Sequence, residues 1–139
     1  MRFILLILAP AAFILLSSKS CKTGYETYQK TEGVTFGYKW GEAKNEAGEK
    51  APALMLLVDN ENTCPITYSM SVDFYYEGIL RESGSLANCV PPGKVRKGKL
   101  NGVYLISEEF TSEQLNSGDF KLELNDIEVA PAEGCDQES

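Results

Sequence analysis

"ITYSMSVDFYYEG", residues 66–78, decides the fold. Ile66, Tyr68, Met70, Val72, Phe74 and Tyr76 alternate without a break with Thr67, Ser69, Ser71, Asp73 and Tyr75. Successive side chains of an extended chain point to opposite faces, so this pattern predicts a long β-strand with one face buried and one wet. Glu77 and Gly78 supply the turn that follows, because glycine reaches the positive φ of tight hairpins at no steric cost. "ILRES", residues 79–83, is then the return strand. A loop over Tyr76, Glu77 and Gly78 sets Phe74 opposite Leu80 and Asp73 opposite Arg81, an apolar pair on one face and an ion pair on the other.

Strand signals extend on both sides of this hairpin. In "VTFGYKW" (34–40), Val34, Phe36, Tyr38 and Trp40 share one face, and Trp40 is expected in the core. Residues 41–52, charged and rich in glycine and alanine, read as an exposed loop. "ALMLLVDN" (53–60) is an unbroken apolar run, the mark of a central strand covered on both faces. Pro91, Pro92 and Gly93 fix a turn before a strand that is basic at first and apolar at Val103 and Leu105; Gly98 and the Asn101-Gly102 pair mark a bulge or second hairpin. Thr111 and Gln114 make a capping box for a short helical turn that Gly118 stops. "DFKLELNDIEV" (119–129) is the last strand, with Phe120, Leu122 and Leu124 on one face.

About six to eight strands without a long helix predict an all-β antiparallel sandwich. One domain is expected over residues 33–130, between a polar tether at 21–32 and a polar tail at 131–139. A strand ending in Asp59-Asn60, then a long aromatic strand and a Pro-Gly turn, resembles the immunoglobulin-like or fibronectin-type modules of exported bacterial proteins. The resemblance implies an immunoglobulin-like β-sandwich with one short helical turn and carries no function.

Residues 1–20 have the parts of an export signal: Arg2, an apolar run from Phe3 to Leu16 broken by Pro10, and the small polar segment Ser17–Ser20. The run is too short to span a bilayer, which takes about 20 apolar residues. With its short positive start, leucine-rich core, Ser20-Cys21 junction and polar tether, the segment resembles a lipoprotein signal. It departs from that pattern at Ser18 and Lys19. The resemblance implies a lipid on Cys21 and an address at the bacterial outer membrane. Ser18 and Ser20 also satisfy an ordinary signal peptidase, which would leave Cys21 free to pair with Cys135 in a soluble periplasmic or secreted protein.

Four cysteines occur, at 21, 64, 89 and 135. In the hairpin register above, position 64 faces about position 90, so a Cys64–Cys89 disulfide is expected at the open end of the hairpin.

Composition narrows the function. There is no histidine, which removes the usual general base and the commonest metal ligand, so His-based triads and histidine-bearing zinc sites are excluded. Of 13 basic side chains Arg2 and Lys19 lie in the leader, leaving 11 against 20 acidic ones, a formal charge of −9. Such a charge disfavours nucleic acid and electrostatic adsorption to membranes, leaving the lipid as the only membrane contact. Acidic pairs such as Glu108-Glu109, Asp126 with Glu128, and Asp59 with Glu61 are expected as a solvated rim and not as a catalytic set. Neither a cofactor nor a metal is expected. The expected partner-binding residues are Tyr75, on the wet face of the long strand, and the basic island Lys94, Arg96, Lys97 and Lys99. The leading expectation is a non-enzymatic lipoprotein binding another envelope protein. Alternatives are a hydrolase inhibitor using loop 41–52 and a glycan-binding module using Trp40, Tyr38 or Tyr75.

Overall fold

A computed structural model describes residues 24–136. Eight strands run in the order β1 (Glu26–Thr31), β2 (Val34–Lys44), β3 (Lys50–Asn60), β4 (Ile66–Tyr76), β5 (Ile79–Val90), β6 (Val95–Lys97), β7 (Tyr104–Ile106) and β8 (Phe120–Pro131). A 3-10 turn (Lys99–Asn101) precedes β7, and α1 (Ser112–Leu115) precedes β8. Sheet A has the order β1-β2-β3-β6, with β7 also on β3; sheet B has the order β5-β4-β8. All pairings are antiparallel, and the two sheets form the expected sandwich.

The alternation that predicted β4 is its burial pattern. Ile66, Tyr68, Met70, Val72 and Phe74 are buried against Val34, Phe36, Leu54, Leu56 and Val58 of sheet A. Trp40 packs half-buried at the edge of this core, its ring 5.5 Å from Phe74 and 5.6 Å from Phe120. β3 is central, between β2 and the β6/β7 edge, which is why its sequence never alternates. The predicted capping box is present: the Thr111 side chain accepts from the Gln114 amide, and the Gln114 side chain accepts from the Thr111 amide.

Several expectations need correction. The segment read as a tether folds from Glu26 as β1, paired with β2 through Thr31↔Val34; its alternation was hidden because most of its residues stay exposed. Residues 41–52 are no loop. β2 and β3 pair as far as Lys44↔Lys50, and the turn between them is closed by the Asn45 amide donating to the Glu49 carbonyl at 2.9 Å. The β4–β5 turn takes two residues, not three. Glu77 and Gly78 both have positive φ, 50° and 77°, so Tyr76 pairs with Ile79 and Tyr75 with Leu80. A bulge then shifts the register, placing Phe74 opposite Glu82 and Asp73 opposite Ser83. Arg81 leaves the ladder and meets Glu109, Nε to Oε2 3.8 Å.

That register overturns the expected Cys64–Cys89 disulfide. The β4–β5 ladder closes at Ile66↔Val90, so Cys64 lies in the β3–β4 turn beyond its last pair. Cys89 faces Thr67 instead and is bonded to Cys135, with Cα atoms 5.5 Å apart; Cys64 has no disulfide partner among the described residues. The residues read as a polar tail make this possible. After β8 the Ala132 amide donates to the Pro65 carbonyl, carrying the chain past the end of β4 to the edge at β5. Closing a loop with a separation of 46 residues contributes roughly 4 kcal/mol in the chain-entropy model.

Non-reducing peptide mapping should recover Cys89 linked to Cys135 and Cys64 alkylated without reduction; a Cys64–Cys89 peptide would contradict this pairing. A second test concerns Tyr68, whose buried hydroxyl has no hydrogen-bond partner among the described residues. Burial pushes its pKa up to about 12. The folded protein keeps a proton that the unfolded chain releases near 10, so stability is full below pH 10 and falls as pH rises through 10 to 12. Tyr68→Phe should abolish that alkaline loss and leave neutral stability unchanged or raised by about 1 kcal/mol in urea unfolding. A variant with the same alkaline loss would contradict the assignment.

Candidate functional site

The apolar run of β3 serves two surfaces. Leu54, Leu56 and Val58 enter the core, while Ala53, Met55 and Leu57 take the outer face of sheet A. Ala53 and Met55 form a second buried cluster with Ala43, backed by Tyr25, Tyr104 and Ile106. Gly41 leaves room for the Met55 side chain, since a Cβ there would come within 3.3 Å of Met55 Cε.

β6 and β7 lie along the same edge of β3, and the chain between them leaves the ladder at Leu56. The Gly98 amide donates to the Leu56 carbonyl and the Leu56 amide to the Val103 carbonyl, each at 3.0 Å. Residues 99–102 bulge out between these bonds. Gly98 turns the chain with φ 58°, and a Cβ there would stand 3.1 Å from the Tyr25 hydroxyl, so both conformation and space call for glycine. Lys99 Nζ reaches the Glu42 carbonyl at 3.0 Å. At the tip Leu100 is 99% exposed.

The result is a groove of about 570 Å³ between Tyr25 on one side and the 98–101 loop on the other, with Met55 and Gly41 as its floor. Lys39, Lys97 and Lys99 rim it. The Lys39 ammonium lies 4.6 Å from the centre of the Tyr25 ring, a cation–π contact. Burial also pushes the Tyr25 hydroxyl pKa up. An apolar floor under a cationic rim suits a ligand or surface that is apolar and anionic together.

The expected basic island is thereby divided. Lys97 and Lys99 join the groove, and Lys39, which sequence reasoning missed, completes the set. Arg96 pairs with core-facing Val58 and so falls on the opposite side of β6, half-buried. Lys94 sits in the preceding turn, its carbonyl accepting from the Asn60 amide. The missed residues had a signal: Gly37, Lys39, Gly41 and Ala43 are the alternate positions of β2, a smooth strip on the face away from Trp40.

Tyr75 is not part of this site. It lies on the outer face of sheet B, between Leu80 of β5 and Lys121 of β8. With Glu77, Gly78, Asp119 and Lys121 it lines a separate depression of about 520 Å³, beside which Leu80, paired with Tyr75, is 50% exposed. Lys121 and Glu123 form an ion pair there, which lowers the pKa of the Glu123 carboxyl and raises that of the Lys121 ammonium. Nor do Trp40, Tyr38 and Tyr75 form a row, since the first two share the inner face of sheet A. Among the described residues no group of three Cys, Asp or Glu side chains is placed to hold a metal ion, and no helix is long and apolar enough to cross a membrane. Cys21 lies outside the described residues.

No family model, curated protein or solved structure matches this chain.

Proposed function

We propose that the chain is a non-enzymatic cell-envelope protein, exported and held at a bacterial outer membrane by a lipid on Cys21, where it binds another envelope protein as an accessory or assembly subunit. The observation that carries the anchor is the Cys89–Cys135 bridge. The soluble alternative gave Cys21 the partner Cys135, and that sulfur is bonded to Cys89. Cys21 follows the leader directly, which is where a lipoprotein requires its cysteine.

The partner surface is the Tyr75 depression with Leu80 at its edge. An exposed leucine beside a tyrosine, ringed by Glu77, Asp119, Lys121 and Glu123, has the composition of a small protein-binding patch. The inhibitor alternative is weakened because its loop is a paired hairpin. The glycan alternative lacks its aromatic row.

A photo-reactive residue at position 80, introduced in cells, tests the reading. One discrete adduct is expected in the membrane fraction, reduced at least fivefold by Tyr75→Ser. No adduct, and no partner recovered after gentle extraction of the membranes, would overturn it.

A further inference from the structure

We propose that the lysine-rimmed groove on the outer face of sheet A rests on the anionic phospholipid surface to which Cys21 is anchored, with Leu100 entering the interface. The inference builds on the anchored reading above but stands on separate observations.

The first is reach. Tyr25 packs into the groove wall, and Gly24 lies beside the Lys39 stem. Four residue steps separate Cys21 from Tyr25, and an extended chain spans at most about 14 Å over that distance. A lipid on Cys21 therefore holds the Tyr25 end of the sandwich, the groove included, close to the bilayer.

The second is charge. The protein as a whole is acidic, yet Lys39, Lys97 and Lys99 gather on this one rim. Three carboxylates lie nearby; Glu26 borders a depression beside Lys39 and accepts from the Tyr38 hydroxyl at 2.9 Å. Glu42 faces Lys50, Oε2 to Nζ 3.9 Å, and Asp59 lies on the same outer face opposite Val95. Lysines near an anionic membrane surface attract it individually, so the local sign and not the net charge governs contact at this range.

The third is the exposed Leu100, carried 99% bare on a loop whose glycines hold it away from the sheet, with Val95 43% exposed along the same face. An aliphatic tip flanked by lysines whose stems can lie along hydrocarbon while their ammonium groups stay wet is suited to the headgroup region.

The test uses the full chain carrying Cys21→Ser, so that no lipid contributes, in sedimentation with vesicles of phosphatidylglycerol and phosphatidylcholine in equal parts, and with phosphatidylcholine alone. Binding to the anionic vesicles is expected, weakened at least tenfold by Lys97→Glu with Lys99→Glu, about threefold or more by Leu100→Glu, and strongly by salt. Tyr75→Ser, on the other sheet, should leave it unchanged; all the substitutions lie at the surface, and matching melting curves exclude unfolding. Absence of binding, or binding unaffected by the lysine and leucine changes, would overturn the inference. Equal binding to phosphatidylcholine alone would overturn it too, assigning the affinity to residues 3–16. Because this chain is unacylated, a negative result leaves the lipid on Cys21 untouched, and a missing lipid leaves the vesicle result untouched.

Discussion

The side-chain amide of Asn60 is the joint between the two sheets. It is fully buried at the end of β3, and its nitrogen donates toward the carbonyls of Cys64, Val90 and Pro91 at 2.9, 3.1 and 3.2 Å. Its oxygen accepts the Asn62 amide at 3.0 Å, and its backbone amide donates to the Lys94 carbonyl. The chain leaves sheet A for sheet B at 60–65 and returns at 90–95, so one residue fixes both crossings. Apolar packing is non-directional and would tolerate sliding; a buried amide with this many partners does not. Where β6 begins along β3, and hence where Lys97 and Gly98 lie over Met55, follows from that joint.

Much of this was legible in the sequence. The period-two pattern of 66–76 specified β4 to the residue, because one sheet face is buried and the other wet. The unbroken run of β3 declared a strand covered twice, although the second cover, Tyr25 with the 98–102 loop, could not be read from it. β1 was invisible because an edge strand with little burial carries little pattern. The hairpin was found but its register was not: two consecutive positive φ values and a bulge at Arg81 depend on backbone geometry that Glu77-Gly78 permits without dictating. The Cys64–Cys89 expectation fails with that slip, since a sulfur two residues beyond the ladder meets no other cysteine among the described residues.

The basic island shows a different limit. Lys94, Arg96, Lys97 and Lys99 are neighbours in sequence, but strand alternation sends Arg96 to the core side and Lys97 to the outer side, and the loop carries Lys99 across the sheet to Glu42. Charge read along a chain overstates clusters within a strand and misses those assembled across strands, as with Lys39. In the proposed arrangement sheet A faces the bilayer while sheet B and the β4–β5 turn face outward, so anchoring and partner binding use opposite layers of one sandwich. The Cys89–Cys135 bridge sits on the outward layer, where the chain leaves β8.

Everything about the address of the protein rests on what Cys21 carries. Intact mass spectrometry of the protein extracted from bacterial membranes measures it directly. The expected species begins at Cys21, retains one disulfide and is heavier than the polypeptide by a diacylglycerol and, where the amine is also acylated, a further fatty acyl group. A chain of unmodified mass beginning at Cys21 would contradict the anchor.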